Sequence, residues 1–237
     1  MIVPFFLRII VNLFKRIKLL IVNFFHLGRV FFQILYGIWR ISKLDMPIIS
    51  IFGGHNFKLD DPYAQEAEKL SRMLAESNIS VITGGGGGIM EAASKGASVK
   101  IRGVSSKIIG IGVKELDEFR SKYVTEYFEL HYFFARKYLL TRYSIGFVVF
   151  PGGYGTMDEM FELLTLMQTK KTPKMPIVLI GTEFWNPLLN WMKSEWLKHK
   201  VINPKDLDLF YVTDDLVRAY SLVCATCVLH AKNEKKK

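Results

Sequence analysis

Residues 146–161 read GFVVFPGGYGTMDEMF. The apolar run from Phe147 to Phe150, closed by a proline and two glycines, is typical of a strand buried on both faces. Thr156 then predicts a helix N-cap, and Glu159, three residues later, would complete a capping box. Glycine has no Cβ, so an anion could approach the main-chain N–H groups at the start of this helix. The stretch therefore predicts a strand, an anion-binding turn and a helix.

A second stretch, residues 79–97, has the same organisation and reads ISVITGGGGGIMEAASKGA. A short strand runs into Gly84 to Gly88 and then into a helix of small residues. Two such turns on one parallel sheet would both lie at the carboxyl ends of strands, where open α/β sheets bind ligands. The alternative, that these glycines only make tight turns, stays open for each turn taken alone.

Strands and helices alternate along the rest of the chain, which predicts an α/β fold: a Rossmann-like parallel sheet with helices on both faces. We expect three further strand-and-helix units and a helix carrying Arg136 and Lys137. Residues 114–130 are mixed and charged, and they are predicted as a loop with a short extended piece over the site. The predicted strands span residues 48–52, 79–83, 108–113, 147–150, 177–180 and 209–212.

The length and the charge distribution limit the size of the core and the kind of partner that the chain can have. At 237 residues the chain can bury one substantial core. The formal charge of +10 belongs to the ends, because residues 1–45 hold seven basic and one acidic side chain and residues 232–237 hold four and one. The 21 basic and 20 acidic side chains between them nearly cancel. No nucleic-acid partner is expected for such a globular part.

Cys224 and Cys227 are the only cysteines, and their C-x-x-C spacing is the one hint of redox or zinc chemistry. There is no second pair and no histidine nearby at ligand spacing, so we predict core cysteines of a closing helix. No His/Asp/Glu cluster elsewhere in the sequence has ligand spacing either. We therefore expect no metal and no cofactor, and no disulfide framework of a secreted protein.

Residues 1–45 form a basic, amphipathic, hydrophobic segment ahead of the predicted domain at residues 46–231 and the basic tail at 232–237. No uncharged run in it exceeds ten residues, which is too short for a spanning helix. Lys18, Arg29 and Arg40 are spaced by eleven and form a nearly straight stripe on a helix. This favours a helix lying in an anionic membrane surface through residues 1–44. A helix packed on protein and a transmembrane hairpin are the alternatives; a signal peptide fits poorly, because cations break its apolar core.

Three stretches together resemble the LOG ("lonely guy") family: TGGGGGIMEAA at residues 83–93, YFFARK at 132–137 and PGGYGTMDE at 151–159. Members are Rossmann-like phosphoribohydrolases, often mislabelled lysine decarboxylases, that cut the N-glycosidic bond of cytokinin riboside 5′-monophosphates and often of AMP. The resemblance covers about residues 47–222. It implies a nucleoside 5′-monophosphate substrate and release of an adenine-type base with ribose 5-phosphate.

The resemblance also implies roles for individual residues. Arg136 and Glu159 would be catalytic, and Lys137 would assist binding. The remaining substrate-binding positions would be Gly152, Gly153, Tyr154, Gly155, Thr156, Asp158, Gly85 and Gly86. A carboxylate beside C1′ can stabilise an oxocarbenium-like sugar and orient water, whereas an arginine is a fixed cation that orients groups. Purely structural roles, in a cap for Glu159 and in a salt bridge for Arg136, are the alternatives.

The sequence departs from the family in two places. The first turn reads Gly53-Gly54-His55-Asn56 where the family commonly has Gly-Ser, a small residue and Arg, and residues 114–120 lack a Glu-Gln and an Asn. The preferred base is therefore open. A non-hydrolytic, membrane-associated nucleotide-binding module is the alternative function; a decarboxylase would need a Schiff-base lysine with its cofactor's partner groups, and the sequence offers no such arrangement. We expect a cytoplasmic homo-oligomer of two or more copies, peripheral at the inner face of the membrane if the N-terminal segment binds it.

Overall fold

A computed structural model describes residues 3–44, 47–99, 106–114, 116 and 119–234, with side chains described between residues 12 and 225. The chain divides into two compact units, residues 1–43 and 44–237. The first unit contains one long helix, α1 (Val3–Ile41). In the described part of the second unit there are seven strands and six further α-helices.

The second unit is an open parallel sheet, as the sequence predicts. Its seven strands lie in the order β4-β3-β2-β1-β5-β6-β7, and every neighbouring pair is parallel. The strands are β1 (Ile48–Phe52), β2 (Ser80–Thr83), β3 (Ile108–Val113), β4 (Glu126–Leu130), β5 (Gly146–Val149), β6 (Ile177–Ile180) and β7 (Tyr211–Thr213). β1, β2, β3, β5 and β6 are buried at every position, which explains their continuous apolar runs.

Among the described residues, a helix follows each strand except β3, which leads to β4 without one. The helices are α2 (Pro62–Glu76), α3 (Ile89–Ala97), α4 (Phe133–Arg142), α5 (Tyr154–Gln168), α6 (Thr182–Trp191) and α7 (Leu216–Glu234). A π-helical turn, Met192–Leu197, follows α6, and a 3₁₀ helix, Pro204–Leu209, precedes β7. Asp61 caps α2 by accepting a hydrogen bond from Tyr63 N–H at 2.9 Å, with proline in the first turn, as N-terminal helix signals predict.

Helices cover both faces of the sheet. On one face, Ile49 and Ile51 of β1 belong to a core cluster that includes buried residues of α2, α3 and α7. On the other face, Ser50 donates a hydrogen bond from Oγ to Leu140 O of α4 at 2.9 Å. Alternate residues of one strand thus contact opposite layers, and the predicted fold class is confirmed.

Residues 114–130, predicted as a loop with a short extended piece, contain that extended piece at their carboxyl-terminal end. Residues 126–130 form β4, an edge strand that is hydrogen-bonded to β3. Phe128 and Leu130 are buried, whereas Glu129 is exposed. An edge strand with one solvated face carries polar residues, so its composition resembles a loop. Residues 115, 117 and 118 of the predicted loop lie outside the described part.

The structure tests the prediction of core cysteines for Cys224 but not for Cys227. Cys224 is partly buried and packs against the core cluster of the sheet. The side chain of Cys227, like the predicted basic tail beyond residue 234, lies outside the described residues.

Candidate active site

The site lies where the strand order reverses. The chain continues from β1 to β2 on one side of the sheet and from β5 to β6 on the other, so the connections that leave the carboxyl ends of the adjacent strands β1 and β5 run in opposite directions. Such a switch point is where open α/β sheets bind ligands. Gly54 N–H donates to Pro151 O at 2.9 Å, and Ile89 N–H donates to Gly54 O at 3.0 Å. Main-chain hydrogen bonds therefore join the turns after β1, β2 and β5.

The predicted capping box at Thr156 and Glu159 is wrong. α5 begins at Tyr154 with Gly153 as its N-cap, and no side chain caps it. Met157 N–H to Gly153 O, at 3.0 Å, is a helical bond of the first turn. The N–H groups of residues 154–156 precede that bond, so they are the orphan donors expected at a helix N-terminus. Glu159 lies a turn further along, and its carboxylate is not used in a cap.

The three glycines of the turn after β5 have different surroundings. A Cβ on Gly152 would collide with Oγ1 of the buried Thr156 and lie 2.9 Å from Gly54 N. A Cβ on Gly153 or Gly155 would meet no protein atom within 4 Å. Gly152 is therefore needed for packing between the turns, whereas Gly153 and Gly155 border open space at the helix N-terminus.

Arg136 and Glu159 face each other across this space. Nη2 of Arg136 lies 3.7 Å from Oε1 of Glu159, and the two side chains are 9% and 13% exposed. The guanidinium also lies against Gly84, where a Cβ would collide with Nη2. The turn after β2 thus contributes a surface without a side chain, and that surface leaves room for the arginine.

Lys137 lies between two carboxylates of α5. Its Nζ is 3.0 Å from Oδ2 of Asp158 and 3.0 Å from Oε2 of Glu162. Burial lowers the pKa of Lys137, but its interactions with Asp158 and Glu162 outweigh burial and leave the pKa raised. Lys137 is consequently held as an ammonium ion that ties α4 to α5.

These groups line one cavity of about 570 Å³. Of the predicted site residues, it brings together Arg136, Lys137, Gly152, Gly153, Tyr154, Gly155, Thr156, Asp158 and Glu159. The size is within the usual range for a small-molecule site. Among the residues that the structure describes, no group of three His, Cys, Asp or Glu side chains could hold a metal ion.

Gly85 and Gly86 are not among the residues lining this cavity, although Gly84 is. Gly85 has a φ of 77°, and a Cβ there would lie 2.9 Å from the ring of Tyr127 in β4. Close packing against the edge strand explains this glycine. The five-glycine run carries no sign of which of its members faces a ligand, so only the fold could separate them.

The cavity also has walls that the sequence did not single out. They are formed by Phe57, Phe133 and Phe184, together with Met90. His55 and Asn56, which depart from the family sequence, line it as well. Phe133 is the first residue of α4, the helix that carries Arg136, and the YFFARK motif was the only signal for it in the sequence. Phe184 is contributed by α6, about 30 residues beyond the glycine turn, and no local motif marks it.

An open parallel sheet with glycine turns and a helix N-terminus at its switch point defines a Rossmann-like protein. The family model described as "Possible lysine decarboxylase" matches residues 90–223, more than half of the chain. The chain belongs to this family, the LOG family of the resemblance noted above.

Named relatives are similar over part of the chain. The chain is 26% identical over 145 residues to a cytokinin riboside 5′-monophosphate phosphoribohydrolase of Rhodococcoides fascians, covering 61% of this chain and 73% of that one. It is 28% identical over 167 residues to a pyrimidine/purine nucleotide 5′-monophosphate nucleosidase of Escherichia coli strain K12. That match covers 67% of this chain but only 36% of the relative.

A solved structure matches the fold. The molybdenum cofactor binding protein of Rippkaea orientalis superposes with a TM-score of 0.57 at 19% sequence identity. The match covers 77% of this chain and 98% of that one. At this identity the likeness concerns the fold alone.

Proposed function

We propose that the protein hydrolyses the N-glycosidic bond of nucleoside 5′-monophosphates, releasing a free base and ribose 5-phosphate. The observation that carries the proposal is the Arg136–Glu159 pair in the same cavity as the uncapped N-terminus of α5. The N-terminus of α5 offers N–H donors for a phosphate, and Glu159 offers a carboxylate for the sugar. The names of the Rhodococcoides and Escherichia relatives support the same reaction class.

The phosphate would occupy the space beside Gly153 and Gly155. Main-chain N–H groups and the positive end of the helix dipole stabilise an anion there without a basic side chain. A phosphate held at one end fixes where the ribose lies in the cavity. Binding energy from the phosphate can then position C1′ for reaction.

Glu159 would act at C1′. As the bond to the base breaks, positive charge develops on the sugar, and a nearby carboxylate stabilises it and orients the attacking water. The water adds its oxygen to C1′ and gives up a proton, the electron pair of the broken bond leaves with the base, and the base takes up a proton, so that one water is consumed for each bond broken. Arg136 cannot supply that proton, because a guanidinium remains charged in proteins; it orients Glu159 and the substrate.

A decarboxylase reaction, suggested by the description of the family model, would need a nucleophilic lysine. Such a lysine is activated by a lowered pKa. The lysine lining this cavity, Lys137, has a raised pKa and is paired with Asp158 and Glu162. The charge state of Lys137 therefore favours the hydrolase proposal.

We infer an adenine-type base as the leading substrate, AMP or a cytokinin riboside monophosphate, on the family resemblance. The apolar walls of Phe133 and Phe184 suit a planar ring. His55 and Asn56 would contact the mouth of the pocket and influence which base is accepted.

Incubation with the four nucleotides AMP, isopentenyladenosine monophosphate, GMP and CMP, and with adenosine, followed by chromatography of bases and an assay for ribose 5-phosphate, tests the proposal. We expect stoichiometric base and ribose 5-phosphate from at least one adenine-type monophosphate, and far slower release from adenosine. Equal rates on AMP and adenosine would contradict the phosphate anchor. Binding of AMP without any product from the four nucleotides would favour the non-hydrolytic module instead.

A further inference from the structure

The helix α1 presents a large apolar surface to solvent. We define its apolar stripe by six side chains that are each 67–74% exposed: Phe14, Leu20, Phe24, Phe25, Leu27 and Phe32. At about 100° per residue these six fall within about half of the helix circumference. From residue 14 to residue 32 the stripe is about 27 Å long. Water-soluble monomers rarely expose a continuous apolar surface of this kind.

The same helix is strongly cationic. Between Val3 and Ile41 the sequence has six basic residues and not one Asp or Glu. Lys18, Arg29 and Arg40 follow one another at intervals of eleven residues, so they lie in a nearly straight row along the helix. Helical spacing places this row outside the apolar stripe. A surface that covers α1 must therefore accept apolar side chains and offer negative charge beside them.

We propose that α1 binds the surface of an anionic lipid bilayer and lies in its interface. Acyl chains would cover the apolar stripe, and lipid phosphates would face the row of cations. A second copy of the same helix is a poorer occupant, because it would bring six more cations and no anions to the contact. Charge complementarity thus selects anionic lipid over self-association.

Composition alone would also permit a helix that crosses the bilayer. In the described part of the chain, Asn12–Ile41 is the one helix long and apolar enough, with a mean hydropathy of 1.5 in its best window. Arg29 argues against crossing, because it would lie near the bilayer centre of a span built from residues 19–39. A central arginine costs about 2.5–3.5 kcal/mol on the translocon scale. In the interfacial orientation all three cations of the row remain at headgroup level.

The carboxyl-terminal end of α1 has the aromatic-cation contacts typical of an interface. Nζ of Lys43 lies 3.3 Å from the ring centroid of Trp39. Arg40 donates from Nη1 to the Tyr36 hydroxyl at 2.7 Å. Tryptophan and tyrosine concentrate at headgroup depth in membranes, where their polar atoms remain hydrated. This end would anchor the helix at that depth.

The test uses the full chain, depleted of purification detergent, and vesicles that float on a density gradient. One set contains phosphatidylglycerol with phosphatidylcholine, and the other contains phosphatidylcholine alone. We expect flotation with the anionic vesicles only. In about 1 M salt, where the Debye length is about 3 Å, binding should fall at least tenfold.

Two pairs of matched variants separate the contribution of the cations from that of the apolar side chains. Lys15→Gln/Arg16→Gln/Lys18→Gln should weaken partition into anionic vesicles about 100-fold, at about 1 kcal/mol per cation. Its control, Lys170→Gln/Lys171→Gln/Lys174→Gln, removes the same charge from exposed lysines elsewhere and should bind like the wild type. Phe24→Ser/Phe25→Ser should weaken binding at least tenfold. Val201→Ser/Val217→Ser, at side chains 63% and 64% exposed, is its control and should not weaken it.

Three outcomes would overturn the proposal. They are failure of the wild type to float with anionic vesicles, equal flotation with neutral vesicles at any salt, and resistance of the bound protein to extraction by alkaline carbonate. The first would point to a protein partner, and the last to a spanning helix. Base release from AMP is measured separately, so failure of either proposal leaves the other testable.

Discussion

Nη2 of Arg136 lies 3.7 Å from Oε1 of Glu159, and both side chains are almost buried at the carboxyl edge of the sheet. The two residues come from different helices, α4 and α5, and approach each other above the switch point. Because the two side chains are so little exposed, water and salt screen their attraction less than that of a surface pair, and the ion pair holds both in place. The pair is therefore a fixed feature of the cavity before substrate arrives.

Glu159→Gln should lower turnover by about 100-fold or more, because the amide keeps the shape of the side chain but loses the charge that stabilises the sugar. The fold should be retained, since Glu159 does not cap α5. Rates on AMP and thermal unfolding midpoints measure the two effects. Glu76→Gln, at an exposed glutamate of α2, is the control. An unfolded Glu159→Gln protein would contradict the absence of a capping role.

Arg136→Lys should also lower turnover by about 100-fold, because an ammonium cannot reproduce the planar fork of a guanidinium. Steady-state kinetics on AMP measure this loss. Arg142→Lys, an exposed change at the end of the same helix, should keep the wild-type rate. Near-normal activity of Arg136→Lys would contradict a catalytic role for Arg136 and leave it only the ion pair with Glu159.

Gly84→Ala tests whether the turn after β2 positions Arg136. The new methyl group would occupy the space of the guanidinium and lie 2.7 Å from Sδ of Met90. We expect kcat to fall at least tenfold, because the end of Arg136 must shift, with a smaller change in KM. Gly87→Ala, whose Cβ would lie 3.5 Å from His55 O in ordinary contact, is the control in the same turn. An unchanged kcat in Gly84→Ala would show that the turn after β2 does not position Arg136 for the reaction.

Gly152→Ala and Gly153→Ala should have different effects although the residues are adjacent. Gly152→Ala should destabilise the protein by about 1–3 kcal/mol, because its methyl group meets Thr156 and the Gly54 backbone. Gly153→Ala should leave the unfolding midpoint nearly unchanged but raise KM for AMP at least tenfold, because its methyl group borders the proposed phosphate position. Equal KM values for Gly153→Ala and wild type would contradict the proposed phosphate position beside Gly153.

The hydrogen bonds of Asp214 predict that the free energy of unfolding falls at acidic pH. Thr182 Oγ1 donates to its carboxylate, and this bond, with bonds from the N–H groups of Gly181 and Thr182, outweighs burial and lowers the pKa of Asp214. The unfolded chain then binds more protons, so this stability is present above about pH 4 and is lost as the pH falls through the folded pKa. Urea unfolding between about pH 5 and 2 should show a smaller loss for Asp214→Asn than for wild type. Exposed Asp60→Asn is the control, and parallel curves for Asp214→Asn and wild type would contradict the linkage.

The sequence predicted the parallel sheet because its strands are apolar runs bounded by glycine turns. It could not predict that Arg136 pairs with Glu159, since the residues lie 23 positions apart and their approach depends on the packing of α4 against β3 and of α5 at the switch point. The capping prediction failed because Thr156 turns its hydroxyl toward Gly152 inside the structure. A Thr-x-x-Glu spacing is equally compatible with the interior of a helix's first two turns.

The hydrogen bonds from Gly54 N–H to Pro151 O and from Ile89 N–H to Gly54 O use only main-chain atoms. Replacement of the neighbouring side chains His55 and Asn56 would therefore leave this scaffold intact. These two cavity-lining side chains can be exchanged while the main-chain contacts beside the proposed phosphate position stay in place, so we expect their exchange to change the base preference of the proposed enzyme. A library randomised at these two positions is accordingly a compact starting point for engineering nucleotide selectivity.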